Sequence, residues 1–338
     1  MASNVGGSAT NHSVIDQWLL DAMIRTPREG LANRVRWKGL SRLRRMRLRS
    51  SDPAVEYRLG DVRLQLPLSH DLPLYRRSLP HYSLNLGRIA WQVNEKYRDL
   101  TMIDVGANVG DSAAIVRMHC DIPILCIEGE ERFFRYLAAN AHALRGLEIE
   151  CAFIGAEGDK PVGVEMERGT ARVVLGPEAT VGLTMRTLSE VVQRHPRFAA
   201  AKLLKIDAEG FDCKIISSES KLLSLTRPIL FFEYQPVLSQ RAHYDSFLVF
   251  SKLLSMGYSR QIVYEATGEY RMEVDLDNNR ALEDLHHYYG TTKRGYCDLV
   301  AFHADDADVA QAVRTSELKP GQCAGQDHNH GQANETPA

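Results

Sequence analysis

The sequence predicts an α/β fold in which a largely parallel sheet is covered by helices on both faces. Near-continuous apolar strands, such as TMIDV at 101–105 and ILCIE at 124–128, alternate with helical segments from residue 82 onward. Strands that are apolar on both faces are typical of parallel sheets with helices on each side. The composition agrees, because 44% hydrophobic and 25% charged residues are ordinary for a globular chain of 338 residues.

Residues 1–80 are predicted to form an N-terminal extension. Residues 13–24 have helical periodicity, with Ser13 as a cap and Asp16 at the capping-box position. The apolar face of this helix is expected to contain Val14, Ile15, Trp18, Leu19, Ala22 and Met23. Residues 55–68 alternate with the period of a strand, which predicts a β-hairpin with one apolar face.

A basic segment lies between these elements. Eight Lys or Arg residues occur from Arg34 to Arg49, and residues 1–60 hold 11 basic against five acidic side chains, although the whole chain has a net charge of −2. A basic amphipathic helix can lie on an anionic membrane surface or pack on an acidic part of its own chain. Gly39 and a narrow apolar face favour the second interpretation. A nucleic-acid partner is not expected, because Trp37 is the only aromatic residue in the run.

Residues 81–304 are predicted to form the main domain, and residues 315–338 a disordered polar tail. Helices are expected near 83–97, 111–119, 130–144, 187–195, between 207 and 228, and near 241–255 and 278–289. Strands are expected at 101–105, 124–128, 147–154, 201–207, 228–234, 258–264 and 297–303, with a hairpin within 161–175.

The sequence also bears on the compartment of the protein. No apolar run approaches the ~18–20 residues of a membrane-spanning helix, and the N-terminus has no features of a secretory signal. The six cysteines are scattered without a C-x-x-C motif, so we expect reduced thiols in a cytoplasmic protein.

Polar residues follow the predicted parallel strands, and ligands bind at the carboxyl ends of such strands. In the turn IDVGANVGD, Gly106 and Gly110 separate a strand from a helix. The dinucleotide fingerprint requires glycines at positions 108 and 111, where this chain has Asn108 and Asp111, so an NAD site is disfavoured. Glu128 ends the next strand, where a carboxylate can bind ribose hydroxyls or, alternatively, cap the following helix.

These residues resemble the FkbM family of S-adenosylmethionine-dependent methyltransferases. The resemblance runs from about Thr101 to Tyr234 and rests on IDVGANVGD, CIEGEERFFRYLAAN, TLSEVV, LLKIDAEGFD and ILFFEY. It implies a Rossmann-like, seven-stranded methyltransferase sheet, S-adenosylmethionine as cofactor, and methyl transfer to a hydroxyl of a sugar, polysaccharide or secondary metabolite. Members of the family usually have Pro where this chain has Gly129.

The resemblance also implies roles for individual residues. Glu128 is expected to hold the ribose of the cofactor, and residues 154–156 to pass the adenine. The methionine end is expected to be lined by Asp104, Gly106, Asn108 and Gly110.

Asp207 and Glu209 follow the fourth parallel strand and are expected to face the methyl group. One of them is the candidate general base for the acceptor hydroxyl, with Asp207 favoured, and two carboxylates this close can share a proton. Glu209 has an alternative role as a helix cap. Glu233 closes the same edge, and the residues proposed after it to contact the acceptor are Tyr234, His243 and Tyr244.

Other classes of protein and site stay open at this point. Asp207, Glu209 and Glu233 together offer oxygen ligands for a divalent cation, but no Asn or His stands at a clear ligand spacing, so no metal is expected. A catalytically inactive, cofactor-binding partner subunit and an NAD-dependent oxidoreductase are the rival functions. Carboxylates kept at a buried edge cost desolvation, which favours an enzyme.

Overall fold

A computed structural model describes residues 13–167, 169–177, 185–291 and 295–319 of the chain. The helices in these ranges are α1 (Val14–Arg25), α2 (Leu31–Leu48), α3 (Leu72–Ser78), α4 (Leu84–Lys96), α5 (Asp111–Arg117), α6 (Glu131–Ala141), α7 (Leu188–Arg194), α8 (Asp212–Ser218), α9 (Ser220–Thr226), α10 (Pro236–Arg241), α11 (Leu248–Ser255), α12 (Asn279–Thr291) and α13 (Ala307–Glu317). Short 3-10 helices occupy Pro196–Phe198 and Ala304–Asp306.

The strands alternate with these helices through most of the chain. In chain order they are β1 (Ala54–Leu59), β2 (Val62–Pro67), β3 (Met102–Val105), β4 (Ile124–Glu128), β5 (Leu147–Cys151), β6 (Phe153–Ile154), β7 (Pro161–Glu167), β8 (Thr170–Leu175), β9 (Met185–Arg186), β10 (Leu203–Ile206), β11 (Ile229–Tyr234), β12 (Tyr258–Glu265), β13 (Tyr270–Asp275) and β14 (Cys297–His303).

The central sheet has eight strands in the order β13-β12-β14-β11-β10-β3-β4-β5. The five strands from β11 to β5 are parallel, which confirms the predicted α/β class. At the other end, β14 is antiparallel to both β11 and β12, and β13 is antiparallel to β12, so the sheet is mixed. The chain passes from β3 to β4 and β5 on one side and then returns to β10 on the other. This reversal beside β3 is where a parallel sheet forms a ligand cleft.

Alternate side chains of the central strands pack on opposite faces of the sheet. Ile103 and Val105 of β3 belong to one buried core, whereas Met102 belongs to the core on the other face. Each core lies between one face of the sheet and the helices that cover it, as the apolar strands predict. Lys205 of β10 and Asp104 of β3 are paired neighbours in the sheet, so their side chains point to the same face.

The N-terminal elements form a third core that packs on the main domain. Leu20, Met23 and Leu66 belong to this cluster, which extends to Val109 and Phe133 beside the glycine turn and in α6. The extension predicted from residues 1–80 therefore contacts the main domain directly over its described part. The hairpin β1–β2 is antiparallel and joined at Leu59 and Val62.

The apolar face of α1 differs from the predicted one. Asp16 is fully buried and forms an ion pair with Arg47 of α2 at 2.8 Å, instead of capping its own helix. Val14, Ile15 and Trp18 are exposed, because the helix is rotated to place Asp16 against α2. The buried side chains are Asp16, Leu19, Leu20, Ala22 and Met23.

Two further differences concern the C-terminal half. The helix predicted at 241–255 begins at Leu248, since the chain turns before it and His243 has a left-handed backbone with φ +56°. Strand β13 was not predicted. Residues 320–338, which hold most of the predicted tail and Cys323, lie outside the described residues. The other five cysteines are free thiols, of which only Cys151 is exposed.

None of the described helices is both long enough and apolar enough to span a membrane.

Candidate active site

A cleft opens at the carboxyl ends of the parallel strands, beside the reversal of strand order. Segments from the N-terminal extension, the hairpin β7–β8 and the start of β14 complete its wall. The predicted site residues on this wall are Gly106, Asn108, Glu128, Asp207, Glu209 and Glu233. Residues from four different strand ends thus meet in one cleft, as the strand-end rule predicts.

The glycine turn after β3 is packed against the end of β10. Gly106 has φ +76°, and a Cβ atom there would lie 1.8 Å from the backbone oxygen of Asp207. The N–H of Gly106 donates to the backbone oxygen of Ile127 at 2.9 Å. A side chain at position 106 would separate the two strand ends, so this position requires glycine.

Glu128 is held by backbone donors on both carboxylate oxygens. It accepts hydrogen bonds from the N–H groups of Asn108 and Glu130, each at 2.8 Å. Burial raises the pKa of Glu128 to about 7, although the two donors act in the opposite direction. Glu130, not Glu128, caps α6 by accepting from the N–H of Phe133 at 2.9 Å. The alternative role of Glu128 as the cap of this helix is therefore not observed.

His70 is a buried cleft residue that the sequence did not indicate. Its Nδ1 accepts from the N–H of Leu72 at 3.1 Å, and its Nε2 lies 3.1 Å from Oδ1 of Asn108. Burial lowers the pKa of His70, so the neutral ring donates from Nε2 to Asn108. The amide nitrogen of Asn108 donates in turn to the backbone oxygen of Gly169 in the β7–β8 turn, at 2.8 Å. This network connects the extension, the glycine turn and the hairpin.

Asp104 lies behind the cleft rather than on the wall formed by the described residues. Its carboxylate is fully buried and pairs with Nζ of Lys205 at 2.9 Å, while the same Nζ lies 3.6 Å from Oδ2 of Asp207. Burial raises the pKa of Asp104 to about 6, against the opposing effect of Lys205. Although burial lowers the pKa of Lys205, Asp104 and Asp207 raise it above its usual value. Lys205 reaches the cleft in place of Asp104.

Gly110 is likewise absent from the part of the wall that the structure describes. It precedes α5 with φ +90°, and the side chain of Leu137 packs 3.1 Å from the position of its missing Cβ. Its role is to let α5 begin close to α6.

The turn after β10 carries Asp207 and Glu209, and the backbone is strained at Glu209. Glu209 has φ +51°, which is uncommon for a residue other than glycine and is often retained at functional sites. The N-cap position of α8 is Phe211, so Glu209 does not cap this helix. Instead Asp212 holds the turn, accepting from the N–H groups of Ala208 and Gly210 at 3.2 and 3.1 Å.

Burial raises the pKa of several carboxyl groups around Asp207. The pKa of Asp298 rises to about 7 and that of Asp212 to about 8, with Asp207 as the next cause in both cases. Burial also raises the pKa of Glu233 well above its usual range, again followed by Asp207. These groups differ from the Asp207–Glu209 pair that the sequence suggested. Asp298, Tyr82 and Tyr296 line the cleft and were not predicted.

Of the residues proposed to follow Glu233 into the acceptor site, none lies on the described cleft wall. The hydroxyl of Tyr234 is 2.7 Å from Nδ1 of His286 in the protein interior, and that of Tyr244 donates to Oγ of Ser217 at 2.5 Å. His243 is exposed. Successive strand residues point to opposite faces, which is why Tyr234 turns away from the cleft when Glu233 faces it.

The other end of the cleft, beyond Glu128, is apolar. It is lined by Phe153, Ile154, Val173 and Phe211. A Cβ on Gly129 would lie 2.3 Å from the ring of Phe153, so this ring occupies the space that a proline at position 129 would need. Of the segment expected to pass the adenine, Ile154 is on the wall, whereas Gly155 and Ala156 are outside the described lining.

The described residues contain no group of three or more His, Cys, Asp or Glu side chains placed to hold a metal ion.

The sheet and its cleft define the class of the protein. Five parallel strands, a glycine turn after β3 and a buried acid at the end of β4 form a doubly wound sheet with a ligand cleft at its strand ends. Residues 104–260, somewhat less than half of the chain, match the family model described as the methyltransferase FkbM domain. This match assigns a methyltransferase domain, of the class that uses S-adenosylmethionine as methyl donor, to residues 104–260.

Solved structures were also compared with the chain. They include an FkbM methyltransferase from Methylobacillus flagellatus KT, with 14% identity over 60% of this chain and 44% of that chain and a TM-score of 0.35. A precorrin-6y C5,15-methyltransferase from Geobacter metallireducens GS-15 has 12% identity over 61% and 80%, with a TM-score of 0.32. A SAM-dependent methyltransferase from Aquifex aeolicus has 12% identity over 60% and 81%, with a TM-score of 0.31. No curated protein sequence matches significantly.

Proposed function

We propose that the protein is an O-methyltransferase whose acceptor is a hydroxyl group on a sugar, polysaccharide or secondary metabolite. The observation that supports this most directly is Asp207, whose side chain is 46% exposed at the end of β10 in the cleft, with Lys205 beneath it. An exposed carboxylate at this position is available to a substrate hydroxyl, which must lose its proton during methyl transfer.

The cleft has the features needed to hold S-adenosylmethionine. Glu128 is fixed by two backbone donors and keeps carboxylate lone pairs for ribose hydroxyls. The apolar walls of Phe153, Ile154 and Phe211 fit an adenine ring, and Gly106 leaves room for the methionine portion beside the backbone. When bound, the cofactor supplies a methyl group on a positively charged sulfur.

In this proposal Asp207 accepts the proton of the acceptor hydroxyl. Lys205 bridges Asp104 and Asp207 and so fixes the position of the Asp207 carboxylate relative to the cleft. Glu209, held on a left-handed backbone, orients the hydroxyl beside it. Alignment of the acceptor oxygen and removal of one proton are the two tasks that fall to the protein in such a transfer.

Glu233 and Asp298 support an acceptor with several hydroxyl groups. Because burial raises the pKa of both, each carboxyl can carry a proton near neutral pH and then donate as well as accept hydrogen bonds. Tyr82 and Tyr296 add two phenol groups to the same end of the cleft. Alternating donors and acceptors of this kind match a polyhydroxylated acceptor better than an apolar one.

The proposal is tested by the Asp207→Asn variant. Candidate glycans and hydroxylated metabolites are first screened by mass spectrometry for the gain of one methyl group. Asp207→Asn should then lower the transfer rate ~10²–10⁴-fold, the contribution of a general base, while the Kd for the cofactor changes by less than about threefold. Asp121→Asn, an exposed acid outside the cleft, is the matched control. Full activity of Asp207→Asn would refute its role as the base.

A further inference from the structure

The N-terminal helices expose an unusual number of large apolar side chains. Seven of the sixteen that are exposed in the described part of the chain lie within residues 14–46. Trp18 of α1 is 57% exposed, and Val35 and Met46 of α2 are 64% and 55% exposed. Scattered single apolar residues need no explanation, but a row of them along one helix face marks an interaction surface.

The exposed face of α2 is divided into two parallel stripes. The apolar stripe consists of Ala32, Val35, Gly39, Leu43 and Met46. The basic stripe, one residue earlier in each turn, consists of Arg34, Lys38, Arg42, Arg45 and Arg49. Members of each stripe are three or four residues apart, so each stripe runs along one side of the helix.

The basic stripe is not neutralised by the part of the chain that the structure describes. Arg44 and Arg47 are the cations of α2 that pair with carboxylates, on Asp71 and Asp16. Among the described residues, none of the five cations in the basic stripe has an acidic partner. The helix therefore uses its opposite face, with Leu40 buried, to pack on the protein, and the sequence-based expectation of a basic face covered by the acidic domain does not apply to this stripe.

We propose that the exposed face of α2, defined by its two stripes, docks onto an anionic phospholipid membrane. Apolar side chains beside a row of Lys and Arg are the pattern of helices that lie in the lipid interface. Each basic residue is attracted to the negative leaflet.

The chemistry of the surface favours lipid over nucleic acid. A nucleic acid offers no apolar surface to cover Val35, Leu43 and Met46, and single-stranded binding requires exposed aromatic platforms. Trp37 is not such a platform, because the guanidinium of Arg77 lies 4.3 Å over its ring. The proposal concerns a surface outside the cleft and does not depend on the proposed acceptor.

The test is co-sedimentation of the full chain with lipid vesicles. Binding is expected to vesicles of phosphatidylcholine with about one third phosphatidylglycerol, to fall at least about tenfold in pure phosphatidylcholine, and to weaken as salt is raised. The triple variant Arg34→Gln, Lys38→Gln, Arg42→Gln should lose binding. Val35→Ser, Leu43→Ser, Met46→Ser should reduce it at unchanged charge.

The matched control removes three exposed arginines elsewhere, at Arg63, Arg98 and Arg135, by substitution with Gln. This control should sediment like the unchanged chain, and circular dichroism should show all variants folded. The proposal is overturned if anionic vesicles do not bind the chain or if the control loses binding equally. It is also overturned if the surface instead binds oligonucleotides, or if light scattering shows a dimer that the apolar variant dissociates.

Discussion

At the scale of single residues, Glu128 is a buried carboxylate that accepts hydrogen bonds from the backbone. Its two carboxylate oxygens satisfy backbone N–H groups that belong to different turns, at Asn108 and Glu130. Burial nevertheless raises its pKa to about 7, so the group titrates near neutral pH. The residue that organises the glycine turn is therefore also sensitive to pH.

We predict that Glu128→Gln weakens cofactor binding at least about tenfold at pH 8. A hydrogen bond to a charged acceptor contributes ~1.5–3 kcal/mol to binding, and the amide of Gln would also place an N–H donor against backbone N–H groups. In the unchanged protein, affinity should fall as the pH is lowered below about 7, because protonation removes the carboxylate. The variant should lack this dependence. Calorimetric titration with S-adenosylmethionine from pH 6 to 8 measures both, with exposed Glu131→Gln as control.

At Gly106 the packing of the backbone leaves no room for a side chain. Gly106→Ala would place a methyl group 1.8 Å from the Asp207 backbone oxygen at φ +76°. We expect a loss of at least about 2 kcal/mol in the free energy of unfolding, measured by urea denaturation. Gly163→Ala, where no atom lies within 4 Å of the added Cβ, should be close to neutral. Equal effects of the two substitutions would contradict this account of the turn.

The residues of the site could be predicted from the sequence only where a local rule applies. Strand ends gave Gly106, Glu128 and Asp207, because a parallel sheet brings its carboxyl ends together whatever lies between them. His70 and Asp298 also line the cleft, although His70 comes before the parallel strands in the sequence and Asp298 comes after them. No periodicity or spacing connects such distant positions. Asp104 was expected to line the cleft and does not, since a strand-end acid can face a buried lysine instead.

At the scale of elements, the positions of the long strands and helices were predicted from the sequence. The orientation of α1 and the edge strand β13 were not. The alternation in residues 55–68 gave the β1–β2 hairpin, and the hairpin within 161–175 is formed by β7 and β8. The orientation of α1 depends on the Asp16–Arg47 ion pair, which an apolar count along one helix cannot include. Strand β13 was missed because an edge strand such as YRMEVD is half charged and lacks an apolar run.

Arg44 of α2 connects the N-terminal helices to the cleft. Its guanidinium donates to the backbone oxygens of Leu68, Ser69 and His70 and to Asp71. We predict that Arg44→Lys lowers the free energy of unfolding by about 2 kcal/mol, since an ammonium cannot make this forked set of bonds. Urea denaturation measures the loss. Arg45→Lys, on the exposed face of the same helix, should have no effect, and an equal loss there would refute the interpretation.

At the scale of the whole molecule, the extension and the sheet build one cleft. The core of α1, α2 and the β1–β2 hairpin continues into Val109 and Phe133, and His70 links the extension to Asn108. The described cleft wall therefore includes residues before position 81, although the sequence placed the domain boundary there. A domain boundary predicted from a change in sequence pattern does not indicate which segments pack against each other in the fold.

The cleft also concentrates buried carboxyl groups whose raised pKa values affect stability. The groups whose pKa lies at about 6 to 8 in the folded protein are Asp104, Glu128, Asp212 and Asp298. In an unfolded chain such groups ionise near pH 4. Between about pH 4 and pH 7 the folded protein therefore holds protons that the unfolded chain has released, and its stability falls as pH rises.

His70 acts in the opposite direction, because its lowered pKa adds stability as pH rises through about 6.5. Burial also lowers the pKa of His119 and His286, which act like His70, and it raises that of a fifth carboxyl group, Glu233. Five carboxyl groups outnumber three histidines, so we predict that the free energy of unfolding of the cofactor-free protein decreases by about 1 kcal/mol or more per pH unit from pH 5.5 to 7.5. S-adenosylmethionine should reduce this slope, since a cation in the cleft favours ionised carboxylates.

Urea denaturation at several pH values, with and without cofactor, measures this slope. Asp298→Asn removes one of the titrating groups and should make the cofactor-free slope shallower, while the exposed Asp121→Asn should leave it unchanged. Stability that is constant or increases across this interval would show that the carboxyl groups in the cleft do not hold protons in the folded state. The role of Glu233 and Asp298 as hydrogen-bond donors to the acceptor would then fail with it, because both depend on the same protons.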